Sequence, residues 1–214
     1  FQHPFFMPIM THTPSAHTSS ARYLSLHGRH TSLVLELPEG EAPLWRYWGP
    51  RLNPQAPTPH GLRESRPLPS FMLDFDQPLT LAPSFGVGWF GQSALLAHRG
   101  GQAFAQAFNQ CEVHSDGLPH DSQKVRVVLT DTVAQIELTV HLHLDADSDV
   151  LVMRSNLRNL ADTVLDVQWL AAGTLLLPGK AVSVRSYAGQ HNHEFLQQTD
   201  PLSRSLWRRE SRRG

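Results

Sequence analysis

Two adjacent segments, Lys124 to Thr130 (KVRVVLT) and Val133 to Asp145 (VAQIELTVHLHLD), alternate apolar and polar residues with a period of two. Successive side chains of a strand point to opposite faces, so this pattern demands a half-buried β-strand and is incompatible with a helix of period 3.6. On the second segment Ile136, Leu138, Val140, Leu142 and Leu144 share one face, leaving Glu137, Thr139, His141 and His143 on the other. A one-residue slip would expose the whole apolar set, so the register of these strands is strongly specified.

The rest of the chain agrees with that beginning. Asp149 to Leu160 and Val164 to Leu177 extend the pattern, with turn residues at Asp145 to Ser148 and at Ala161-Asp162. Upstream, Tyr23 to His27, Thr31 to Leu37 and Pro43 to Trp48 read as short strands separated by Gly28 and by Glu39-Gly40. No segment shows capped helical periodicity. Many strands without intervening helices predict an all-β fold of two packed antiparallel sheets. Gly49 to Pro83 is rich in proline, which removes ladder donors, so an extended surface loop is expected there. Phe1 to Ala21 carries no periodicity and reads as a disordered leader, which places the folded domain at residues 22–214.

Composition narrows the function classes. A chain of 214 residues with 40% hydrophobic and 17% charged residues is globular in character. Its length allows about 70% of the unfolded surface to be buried, enough for one substantial core. With 18 basic against 19 acidic residues, no bulk field draws nucleic acid or an anionic membrane. Five arginines between Arg204 and Arg213 face only Glu210, and a salt-bridged loop accounts for them as well as a nucleic-acid patch does. No stretch reaches the roughly 18 apolar residues of a membrane helix, and no signal-peptide order is present, so a soluble protein is expected. Cys111 is the single cysteine, which suits a cytoplasmic, disulfide-independent chain. Its place in the alternating run Ala103 to Cys111 predicts a buried small thiol, not a nucleophile.

Candidate chemistry is sparse. His141 and His143, spaced i and i+2, could place two imidazoles on one strand face for a metal, but a wet polar face is the favoured reading. His191-Asn192-His193-Glu194 follows Gly189 in a loop-like setting and lacks an evident third ligand. Ser84 to Gln92 (SFGVGWFGQ) is glycine-rich, yet no Gly-Lys-Ser/Thr follows and no helix opens after it, so it is no phosphate loop. Trp89 and Phe90 on such a loop suit a sugar, whose C–H faces stack on aromatic rings, while core packing is the plain alternative.

Taken in order, Leu44-Trp45-Arg46-Tyr47-Trp48-Gly49-Pro50-Arg51-Leu52, the Gly88 to Gln92 loop, Asn156 to Leu177 with its Val167-Gln168-Trp169-Leu170-Ala171-Ala172-Gly173, and the closing Glu210-Ser211-Arg212-Arg213-Gly214 resemble the N-terminal domain of glycoside hydrolase family thirty-six, the α-galactosidases. The resemblance implies an antiparallel β-supersandwich of galactose-mutarotase-like architecture, preceding a (β/α)₈ barrel that carries a nucleophilic aspartate and an acid/base aspartate. Neither is expected in this chain. Both ends, Phe1 and Gly214, are expected to lie within a longer protein, with Met7 or Met10 a possible start. Asp74, Asp76 and Asp116 match no motif of the catalytic pair.

The resemblance further implies homo-oligomer contacts through the sandwich, an α-galactoside oligosaccharide such as melibiose or raffinose as substrate, and no cofactor or metal. Loops of the sandwich approach a sugar pocket in the family, which makes Trp89 and Phe90 the substrate-binding candidates. Family sequences often carry an acidic residue where Trp89 stands, so stacking replaces hydrogen bonding there. At Gly189 to Phe195 the family commonly reads Gly-Arg-Trp-x-Arg-Glu, and this chain does not. Two rival readings stay open: a free-standing carbohydrate-binding sandwich with Trp45, Trp48 and Trp89 as a stacking platform, and a mutarotase-like epimerase using His98, His191 or His193 with a carboxylate.

Overall fold

The computed structural model describes residues 22–53, 77–116, 123–177, 183–202 and 207–210. The leader expected at Phe1 to Ala21 lies outside the described residues, as do residues 54–76 of the proline-rich loop, Asp74 and Asp76 among them, and Arg204 and Ser211 to Gly214 of the closing segment.

The described chain is all-β. Three strands, β1 (Arg22–His27), β2 (Thr31–Leu37) and β3 (Leu44–Pro50), form an antiparallel sheet in the order β1-β2-β3. The short β4 (Leu95–His98) pairs with β9 (Asp166–Leu170). Four strands, β5 (Gln110–Ser115), β6 (Lys124–Asp131), β7 (Ile136–Leu144) and β8 (Leu151–Asn159), make an antiparallel meander. The last two, β10 (Ser183–Gln190) and β11 (His193–Pro201), form a separate hairpin. Only one short 3-10 turn, Phe85–Val87, interrupts the strands among the described residues.

One core unites the sheets. From the first sheet come Leu24, Leu26, Leu33, Leu35 and Trp45, and from β4 Leu95 and Ala97. Facing them are Val125, Val127 and Leu129 of β6. The entire apolar face of β7, Ile136 through Leu144, is at most 2% exposed. Each fully buried leucine contributes roughly 1.5–3 kcal/mol, so this two-sided core dominates stability. β2 is buried on both faces, including its polar Ser32 and Glu36. Their partners explain this: His27 Nδ1 lies 2.6 Å from Ser32 Oγ, and Arg46 Nε donates to Glu36 Oε2 at 2.6 Å.

Side chains close the turns. Asp131, buried at the end of β6, accepts the N–H groups of Val133 and Ala134 through Oδ1 and of Ala107 through Oδ2. Asp145 Oδ1 accepts from the Ser148 amide at 2.8 Å and hydroxyl at 2.6 Å. Asp149 reaches across to the β1–β2 turn, accepting the N–H of His30 at 3.0 Å and of Thr31 at 3.2 Å.

Four sequence expectations change. The alternation from Ala103 to Asn109 is not a strand: Ala103 takes φ 55°, and Gln106 turns inward so that Nε2 donates to the carbonyls of Ala97 and Ala103. Phe104 is consequently 64% exposed while Gln106 is buried. Val133 leaves the strand for the turn that Asp131 caps, and β9 occupies only five residues of Val164 to Leu177. Residues 191–194 are not a free loop: His191 and Asn192, the latter at φ 63°, form the two-residue turn of the β10–β11 hairpin. That hairpin escaped detection because both its strands lack an apolar stripe.

Candidate functional site

The glycine-rich segment forms a compact turn between the first sheet and β4. Ser84 is buried at its base, the 3-10 turn Phe85–Val87 follows, and Gly88 ends it at φ 84° with its N–H donating to the Phe85 carbonyl at 2.9 Å. That left-handed conformation is the one an L side chain rarely adopts. The Gly86 N–H donates to the Gln106 carbonyl at 2.9 Å, tying the turn to the segment before β5.

Trp89 is half-buried, and its Nε1–H donates to the Gln92 carbonyl at 3.1 Å. A Cβ at Gly91 would come within 2.8 Å of the indole, so glycine is what lets the ring lie across the chain there. Phe90 is 97% exposed. Neither ring joins the core, so the plain alternative of core packing does not hold, and the turn presents a fixed indole beside an unrestrained phenyl. Phe85 and Val87, 44% and 38% exposed, extend this apolar surface.

The three-tryptophan platform does not assemble. Trp45 is 4% exposed within the core and Trp48 packs against it, so a three-tryptophan platform is overturned by burial of its members. His98 sits on β4, where Gly101 N–H donates to Nδ1, Asp166 Oδ2 lies 3.4 Å from that nitrogen and Gln168 meets Nε2. His191 and His193 stand at the hairpin tip on another sheet, and among the described residues no hydrogen bond or ion pair joins them to His98. No group of three His, Cys, Asp or Glu side chains converges for a metal among the described residues. No helix of the described residues is long and apolar enough to cross a membrane.

The carboxylates and the thiol have structural uses. Asp116 accepts the N–H groups of Lys124 and Gln123, which hold its carboxyl below the usual range. Cys111, half-buried on β5, has its thiol pushed up to about 11 by burial and by the Glu112 carboxylate. A thiol so disposed is a poor nucleophile. In the closing segment Arg208 pairs with Glu210 and Arg209 donates to the Tyr187 carbonyl, so these two arginines are engaged within the chain.

The profile of the glycosyl hydrolase family 36 N-terminal domain matches residues 41–214. The chain belongs to this family. An α-galactosidase of Escherichia coli is 27% identical over 194 residues, covering 91% of this chain and 26% of that protein. Among solved structures, the α-galactosidase of Lactobacillus brevis superposes with a TM-score of 0.68 at 18% identity, over 86% of this chain and 28% of that one. A variant of the family 36 α-galactosidase AgaA from Geobacillus stearothermophilus, in complex with stachyose, gives 0.74 at 15% identity, over 89% and 29%. The chain thus spans about a quarter of the length of these relatives, and the all-β antiparallel architecture of a family 36 N-terminal domain is the part it shares.

Proposed function

We propose that this domain is the N-terminal part of an α-galactosidase that releases terminal α-galactosyl residues from oligosaccharides with retention of configuration. The match of the family profile over residues 41–214 carries the reading. Retention requires two carboxyls roughly 5 Å apart, one as nucleophile and one as acid/base. The buried carboxylates here are committed otherwise, Glu36 to Arg46 and Asp131 to turn amides. The resemblance implies that the catalytic pair belongs to a downstream barrel, so residues 1–214 alone are expected to be inactive.

The domain's own part is scaffold, homo-oligomer contact and pocket rim. Trp89 and Phe90 support the last: one ring is held by Gln92 and Gly91, the other projects into solvent, and together they offer a galactoside a stacking edge. The relative crystallised with stachyose and another with raffinose support an oligosaccharide of that class. A cytoplasmic setting accords with a lone thiol and no disulfide.

The test is hydrolysis of a chromogenic α-galactoside by residues 1–214 beside the full-length protein. Turnover confined to the full-length form is expected, whereas turnover by residues 1–214 overturns the assignment of the catalytic pair. In the full-length protein Phe90→Ala is expected to raise KM for raffinose about tenfold, since one stacking contact is worth about 1.4 kcal/mol, with an unchanged melting temperature. An unaltered KM removes the rim role.

A further inference from the structure

The outer face of the β5–β8 sheet carries a row that neither the core nor the proposed rim uses. Register places His114 opposite Arg126, Arg126 opposite His141, and His141 opposite Arg154, so one ladder position on all four strands bears a cation or an imidazole. The inward neighbours along the same strands are Val113, Val127 and Val140, which confirms that the four side chains share the outward face. Arg126 and Arg154 thus stand two strands apart on this face with His141 between them.

Three further observations point to a ligand. The row lines an open concavity of about 740 Å³, bordered also by Lys124, His143 and Asn156. Its one carboxylate among the described residues, Asp116, is already occupied by the amides of Lys124 and Gln123. At the outer end Glu112 approaches His114 Nε2 to 3.6 Å, and toward β8 Asn156 Nδ2 lies 3.3 Å from His141 Nε2. Arg126 and Arg154 make no ion pair and no side-chain hydrogen bond among the described residues, whereas Arg46 pairs with Glu36 and Arg99 donates to the Ala134 carbonyl and to Asn159 Oδ1. Two strand spacings separate them, about 10 Å at the backbone, so two arginine side chains can converge above the intervening His141.

We propose that this face is an oxyanion site, taking a phosphate group held between the Arg126 and Arg154 guanidiniums above His141. A guanidinium presents a planar fork of donors that matches phosphate oxygens in pairs. The concavity has the volume of a small-molecule site, and its Asn156 and His143 margins can meet hydroxyls, so a sugar phosphate is accommodated as well as free phosphate. The site lies on a different sheet from the Trp89 turn and stands independently of the hydrolase reading.

Calorimetric titration of the full-length protein with inorganic phosphate, glucose 6-phosphate and glucose at constant ionic strength tests this. Both phosphates are expected to bind and glucose is not; tighter binding of glucose 6-phosphate identifies a sugar phosphate as the ligand, and equal binding identifies the free anion. The double variant Arg126→Gln, Arg154→Gln is expected to weaken binding at least tenfold while its melting temperature holds, because neither guanidinium has a partner among the described residues to lose. Arg154→Lys, which keeps the charge without the fork, should lose less than Arg154→Gln, and Arg158→Gln, four residues farther along β8, should lose nothing. No phosphate binding, equal binding of glucose, or undiminished affinity in the double variant overturns the proposal.

Discussion

The β5–β8 sheet and the β10–β11 hairpin use the same antiparallel pairing over strands of similar length, yet they are held very differently. Every second residue of β7 is buried at 2% or less, while β11 is exposed along almost its whole length and Phe195 stands 83% exposed. Ladder hydrogen bonds largely exchange for bonds to water on unfolding, so pairing alone gives a hairpin little stability, and an apolar face packed against a second sheet supplies the rest. The hairpin is pinned instead by a few polar contacts, Arg209 to the Tyr187 carbonyl and Trp207 Nε1 to Asp200 at 3.1 Å.

The strongest separation of the two regions is expected from truncating buried leucines. Leu138→Ala should cost about 3 kcal/mol, read from the midpoint of urea unfolding, whereas Leu196→Ala on the hairpin should stay within about 0.5 kcal/mol. Equal costs would show that the hairpin shares the core's cooperativity.

Thiol chemistry gives the next largest contrast. With Cys111 raised from 9.0 to about 11, the thiolate at pH 8 is about 100-fold scarcer than for a free cysteine, so native alkylation should be slower by that factor and recover in urea. A raised thiol stabilises the fold fully below its ordinary value, and that contribution disappears as pH climbs through about 11. Alkylation at the free-cysteine rate would mean that β5 opens readily.

Asp149 joins the β7–β8 turn to the first sheet through the amides of His30 and Thr31. Asp149→Ala is therefore expected to cost about 1–2 kcal/mol, with faster hydrogen exchange at those two amides and none at the hairpin.

Acid should act last and least. Asp145, lowered chiefly by the Ser148 hydroxyl, and Asp116, lowered chiefly by the Lys124 amide, both favour their charged forms in the fold. A depressed carboxyl contributes above its ordinary value of 3.8, and that contribution is lost as pH falls below it through the folded value. Amide exchange at Gln123 and Lys124, and at Asp147 and Ser148, is expected to quicken between pH 5 and about 3 while hairpin exchange keeps only its intrinsic pH dependence.

The two regions also differ in how far they could be read from the chain alone. In β6 and β7 the apolar period, the turn residues and the strand lengths all agreed, and the buried set was legible residue by residue, down to His141 and His143 on the wet face. In β10 and β11, Ser183 to Gln190 and His193 to Pro201 carry no such period, because a strand that buries neither face leaves no hydrophobic record of itself. The alternation at Ala103 to Asn109 misled for the opposite reason: Gln106 found better partners in the Ala97 and Ala103 carbonyls than a ladder would offer.

Local pattern settled that the chain is antiparallel β, which face of each central strand turns inward, and that the Gly88 to Gln92 turn holds no phosphate loop, since alternation and glycine placement act within a few residues. Burial of Trp45 against exposure of Phe90, and the alignment of His114, Arg126, His141 and Arg154 in one row, were decided only by tertiary structure. Those outcomes depend on cross-strand register and on which sheet lies opposite, and both are set by contacts between residues far apart in the chain.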